Sequence, residues 1–223
     1  MVRGWLEKPA PFKYRSLQLT SDEKGLAQLV NTQLFGTGRL NLNLLGCVRE
    51  SVPLAWEPVS EDPSMLIFEN AGPFWVARKT LGSMSDPPYG MVGYGGGKSV
   101  QASLEHLLTI GRPIEAIHYV GDMDCPGLRI AEATRRMAAR VNLLEIMPPP
   151  GFHVAMLEAA GRFGYPRGWP TESRANPIEG DGVFLNCFSM DLRDRILSVV
   201  NSGFRIPEEV LGPEEMEDIW SIE

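Results

Sequence analysis

Apolar residues follow two rhythms along this chain. Short continuous apolar runs of about five residues read as buried strands, and stretches with apolar positions three and four apart read as helices. SMLIFEN (64–70), GMVGYGG (90–96), AIHYVGD (116–122) and LLEIM (143–147) are the strand candidates, the second broken by glycine and the last stopped by Pro148, Pro149 and Pro150. Residues 99–110 carry Val100, Leu104, Leu107 and Leu108 on one helical face. Residues 126–140, opened by Pro126 in a first-turn position, do the same with Leu128, Ala131, Met137 and Ala138. Residues 21–35 read as an earlier helix with Ser21 as N-cap and Leu26, Leu29, Val30 and Leu34 spaced along it. Two later helices are expected near 153–163 and 189–202. Residues 1–15 read as a lead-in strand or arm, and 36–62 as mixed.

Strands alternating with helices predict an α/β fold: a mostly parallel, Rossmann-like sheet with helices on both faces, plus N- and C-terminal extensions. The organisation expected is a flanking segment over 1–62, a core over 63–150 and a helical extension with an acidic tail over 151–223.

Composition changes this picture little. A hydrophobic fraction of 43% and a charged fraction of 22% are ordinary for a globular protein. No apolar run approaches membrane-spanning length, and the N-terminus has no apolar signal region, so a cytoplasmic, non-membrane protein is expected. Three widely spaced cysteines, Cys47, Cys125 and Cys187, form no CxxC pair and suit a reducing compartment. The three histidines do not cluster with them, which argues against zinc.

Charge is more informative by position than in total. The net charge is -7, but residues 208–223 hold seven acids and no base, and the rest of the chain carries 21 acids and 21 bases. The acidity reads as a property of the tail. A neutral body has no strong electrostatic grip on phosphates, so a nucleic-acid substrate would need a partner's help.

Two acidic positions stand out. Glu69 ends the first core strand, and Asp122 and Asp124 lie in GDMDCPG just after the third. Ligands of parallel α/β sheets bind outside the carboxyl ends of the strands, so these acids fall at one edge if the strands are parallel neighbours. Carboxylates at i and i+2 can point the same way and offer hard oxygens to Mg²⁺ or Mn²⁺. Gly121 and Gly127 permit a tight turn there, and Asp124 stands at the N-terminus of the next helix. Glu69 could be a base, an acid or a further ligand. A DxD alone is equally at home in a solvated turn; the signal is the combination of strand–Glu69–Asn70, about fifty residues of strand and helix, then strand–GDMDCPG–helix.

That combination resembles the Toprim fold of topoisomerases, primases and nucleases. FENAGPFWVARK, GYGGGKSVQASL and HYVGDMDCPGLRIAEATRRM further resemble the Toprim part of the nuclease subunit of the Wadjet plasmid-defence system, a relative of the A subunit of topoisomerase VI. RSLQLTSDEKGLAQLV (15–30), the stretch 43–58 and GFRIPEEVLG (203–212) are similar to its flanks, so the likeness spans about residues 15–212. The resemblance implies a metal-dependent DNA endonuclease subunit, with Glu69, Asp122 and Asp124 as its catalytic, metal-binding acids. It implies double-stranded circular DNA, an SMC-like ATP-driven complex and a second copy of the chain as partners. Only about sixty residues precede the core, so the chain reads as the C-terminal half of such a subunit, without its winged helix. Hydrolysis is therefore expected, not attack by Tyr14. The alternative is a non-catalytic docking module that keeps the fold.

Other features take plainer readings. GYGGGKS (93–99) misses the Walker spacing, because Val92 stands where its first glycine belongs; it reads as a strand-to-helix turn, with Lys98 a candidate phosphate contact. Arg129, Arg136 and Arg140 read as a solvated helix face, with Glu132 paired to Arg136. Cys125, among acids, is no nucleophile. His118 reads as a packed residue. A haloacid-dehalogenase reading of DMD fails because Pro126 stands where that family needs Thr or Val.

Overall fold

A computed structural model describes residues 8–48, 50, 52–171, 182 and 184–221. The chain forms two compact units, 1–51 and 52–223.

In the first unit, strand β1 (Ala10–Pro11) pairs in parallel with β2 (Cys47–Val48), and between them lie helices α1 (Phe12–Thr20) and α2 (Gly25–Val30). Its centre is polar. The buried Arg15 guanidinium donates to Gln18 Oε1 at 2.7 Å and to the carbonyls of Lys8 and Gly46 at 2.6 and 3.2 Å. Ser21 is not the N-cap expected of it. It ends α1 in a left-handed conformation with φ of 59°, its N–H donating to Leu17 O. The helix expected over 21–35 is reduced to α2, because Asp22 accepts the Lys24 N–H at 2.9 Å and turns the chain first.

The second unit is built on a five-stranded sheet. Its members are β3 (Ala55–Pro58), β4 (Ser64–Phe68), β5 (Met91–Tyr94), β6 (Ala116–Val120) and β7 (Ile146–Met147), in the order β3-β5-β4-β6-β7. All neighbours are parallel except β3, which runs antiparallel to β5 at one edge. Three crossover helices connect the parallel strands, as such pairing requires: α3 (Ala71–Ser83), α4 (Val100–Leu107) and α5 (Cys125–Arg140). Met65, Leu66, Ile67 and Phe68 of β4 are all fully buried. Successive strand residues face opposite ways, so both faces of β4 are covered, which is why its sequence is a continuous apolar run and not an alternation. The mostly parallel α/β sheet flanked by helices is thus as expected, while β3 and α3 were not read in the sequence.

Helices α6 (Phe152–Arg162), α7 (Met190–Asn201) and α8 (Pro213–Ser221) follow, with a small antiparallel pair, β8 (Trp169–Pro170) and β9 (Phe204–Arg205). Ser189 caps α7 by accepting the Leu192 N–H. Among the described residues, no helix is long and apolar enough to cross a membrane.

Candidate active site

β4 and β6 are hydrogen-bonded neighbours, and their last paired residues are Phe68 and Val120. The next residue on the first strand, Glu69, still donates its N–H to Val120 O at 3.0 Å. Glu69 therefore stands directly beside Gly121, one step ahead of Asp122, at the carboxyl edge of the sheet. A side chain at 121 would be obstructed, since a Cβ there would lie 2.3 Å from Glu69 Oε2. The buried Tyr119 hydroxyl donates to the same oxygen at 3.2 Å. Burial raises the Tyr119 pKa, so the phenol stays protonated and keeps donating.

The GDMDCPG turn then places both aspartates. Asp124 is the N-cap of α5: its Oδ1 accepts the Gly127 N–H at 2.7 Å. Gly127 has no room for a Cβ, which would sit 2.1 Å from the Asp122 carbonyl oxygen. Asp122 Oδ1 accepts from Asn70 Nδ2 at 3.3 Å and from the Glu208 N–H at 3.0 Å. Its Oδ2 lies 3.9 Å from Arg205 Nη1.

Glu208 is the residue that sequence reading missed. It was counted with the acidic tail, yet it is fully buried. Its Oε2 accepts the Glu69 N–H at 3.3 Å, and its Oε1 accepts the Asn70 N–H in a short bond. The available signal was local: Glu208 lies in IPEEVLG, an acid set among apolar residues instead of in a polar run.

Four carboxylates thus converge, with one guanidinium at the edge of their reach. Burial, then the charge of Asp122, pushes the Glu69 pKa up to about 7, and Asp124 adds to this while the Tyr119 hydroxyl works against it. Burial also raises Asp124, offset in part by the Gly127 N–H, and raises Glu208 well above the usual range against the pull of the Asn70 N–H. Such an excess of negative charge is what a divalent cation relieves. The donors are all hard oxygens, which suits Mg²⁺ or Mn²⁺. Among the described residues, however, no three acidic, histidine or cysteine side chains are already arranged around a cation's position. Several of their oxygens, on Asp122, Asp124 and Glu208, are engaged by protein donors.

The amides of the glycine-rich turn are taken up by the end of β4. Gly96 and Gly97 donate their N–H groups to the Glu69 carbonyl at 3.0 and 3.3 Å, and Gly95 donates to Phe68 O at 2.8 Å. The turn holds the end of β4, and these amides are occupied. Lys98 is exposed on the following 3-10 turn, Gly97–Ser99. Cys125 is buried and its thiol pKa is raised, first by burial. His118 accepts or donates a 2.9 Å hydrogen bond with the Tyr89 hydroxyl and its pKa is lowered by burial, as a packed histidine's should be. Arg136 Nε pairs with Glu132 Oε1 at 2.7 Å along the α5 surface.

The cap gives a modest prediction. Asp124→Ala should cost about 1 kcal/mol in a urea melt, and Asp124→Asn only a few tenths, because the amide oxygen can still accept the Gly127 N–H. Equal losses in both would show that the cap is not what Asp124 contributes to stability.

No protein-family model matches the chain, and no curated protein matches it.

Proposed function

We propose that residues 52–223 are the catalytic core of a divalent-metal-dependent DNA endonuclease of the Toprim type. The observation that supports this reading is the meeting of Glu69, after β4, with Asp122 and Asp124, after β6, at one carboxyl edge of a parallel sheet. Glu69, Asp122 and Asp124 would hold Mg²⁺ or Mn²⁺. The cation, when bound, would offset the phosphodiester's charge and polarise it toward attack by water. Glu69, whose carboxyl is held high by burial and by the charge of Asp122 while no cation is present, would be kept ionised by a bound cation and so serve as its ligand or as the acceptor of water's proton. Water adds across one P–O bond, leaving a phosphate monoester and a hydroxyl, and no covalent adduct is needed.

The likeness of its motifs to the Wadjet nuclease subunit makes circular plasmid DNA the substrate we propose, delivered by an SMC-like complex. Lys98, exposed beside the site, remains a proposed phosphate contact. A docking module without activity is the second reading. It is favoured by the carboxylate oxygens already engaged by backbone and side-chain donors.

Incubation of supercoiled plasmid with the purified chain and Mg²⁺ or Mn²⁺, with and without its complex partners, separates the two. Metal-dependent nicking or linearisation is expected. Metal binding with no cleavage in the assembled complex would leave only the docking module.

A further inference from the structure

We propose that Glu208 is a positioning residue of the acidic centre, holding the end of β4 and the Asp122 loop in one frame. The inference rests on the metal-binding reading above and deepens it.

Glu208 is joined to both halves of the centre. Its two carboxylate oxygens take the consecutive N–H groups of Glu69 and Asn70, one oxygen to each. Its own N–H goes to Asp122 Oδ1. Two residues earlier, Ile206 bridges Met123 in antiparallel fashion, with N–H to carbonyl distances of 2.8 and 3.1 Å. Residues 206–208 thus form a splint along the aspartate turn whose last side chain reaches across to the glutamate strand. Asn70 adds a second tie, from the glutamate side, to the same Asp122 oxygen.

The choice of glutamate follows from the geometry. The Asn70 N–H and the Glu69 N–H, the latter shared with Val120 O at 3.0 Å, both face this one side chain, and a carboxylate offers an acceptor to each. Glutamine supplies one acceptor and turns an NH₂ toward the other donor. Alanine supplies none. A carboxylate is a costly group to bury beside two others, so a side chain needed only to fill space would be apolar here. Oxygens that must converge on a cation gain from being fixed beforehand, and outer partners of metal ligands commonly change affinity by about 10- to 100-fold.

The test is titration of the full chain with MnCl₂, alongside thermal unfolding, for the wild type, Glu208→Ala and Glu208→Gln. The alanine variant is expected to bind Mn²⁺ at least about tenfold more weakly, and the glutamine variant to recover a good part of that loss through its remaining acceptor. Melting temperatures within a few degrees of wild type would separate positioning from mere unfolding. Wild-type affinity in the alanine variant would overturn the role of Glu208 while leaving the metal reading intact. Equal losses in the two variants would overturn it as well, since the charge and not the hydrogen bonding would then be acting. No Mn²⁺ binding by the wild type would remove the metal reading, and this inference with it. If Glu208→Ala does not fold, Glu208→Asp decides, since it keeps the charge and shortens the reach to the two N–H groups: a loss of about threefold or more supports the proposal, and unchanged affinity overturns it.

Discussion

Asp122→Asn is expected to reduce metal-dependent cleavage of circular DNA by at least about a thousandfold, corresponding to about 4 kcal/mol of activation free energy. The substitution removes a charged oxygen from the point where the strand ends converge. It disturbs the fold little, because the amide oxygen can go on accepting the Glu208 and Asn70 N–H groups that now reach Oδ1. The ion pair it loses is a loose one, 3.9 Å from an Arg205 side chain that is nearly half exposed. Asp122→Ala is the less informative change, since it strips the Glu208 N–H of its acceptor at a buried residue and adds about 1–3 kcal/mol of instability. Initial nicking rates in Mg²⁺ and Mn²⁺, together with a urea melt of the same preparations, check the prediction. Cleavage at wild-type rates by the asparagine variant would end the assignment of Asp122 to the chemistry.

A second large effect concerns stability, away from the acidic centre. His153, at the start of α6, is buried against Phe188, with ring centroids 4.6 Å apart, and its Nδ1 has no hydrogen-bond partner among the described residues. Burial lowers its pKa from 6.5 to about 4. The folded protein therefore binds fewer protons at this residue than the unfolded chain does between those values. The stability tied to a neutral His153 is present above pH 6.5 and is lost as pH falls toward 4, about 3 kcal/mol in all. Glu69 acts in the opposite sense: its raised pKa makes its contribution full below pH 4.5 and lost as pH rises through about 7. The difference between wild type and His153→Leu isolates the histidine. At pH 7 the two should unfold within about 1 kcal/mol of each other, since leucine is close to histidine in volume and leaves no unpaired nitrogen. At pH 4.5 the variant should be the more stable by roughly 2–3 kcal/mol relative to that baseline. Urea melts at the two pH values check this, and a pH-independent difference would sink it.

Much of the sheet could be read from residue order because β4 is buried on both faces and appears as an unbroken apolar run, while β5 and β6 stay mostly buried and apolar around Gly93 and His118. Helix α3 escaped notice because Gly72, Pro73 and Gly82 look like loop punctuation. Pro73 lies in the first turn, where its missing N–H costs no helical bond, and Pro73, Ala77, Thr80 and Leu81 form a buried face at helical spacing. Edge strand β3 is half exposed and contains Pro58, so neither continuous burial nor clean alternation marks it. The last core strand shrank from the expected 143–147 to Ile146–Met147. Glu69, Asp122 and Asp124 were legible because each follows a readable strand. Glu208 was less so, because the apolar setting of IPEEVLG hints at burial but does not disclose its partners, 138 and 139 residues away.

That long reach has a consequence for biosynthesis. A ribosome delivers the pieces of the centre in the order 69, 122, 124 and then, far later, 208. Contacts so distant in sequence close late, after the intervening strands and helices have collapsed. During translation the emerging polypeptide would hold its aspartates and its first glutamate without the splint that aligns them. Alignment of the proposed centre would then wait on the emergence of residue 208, about 84 residues after Asp124 has been made.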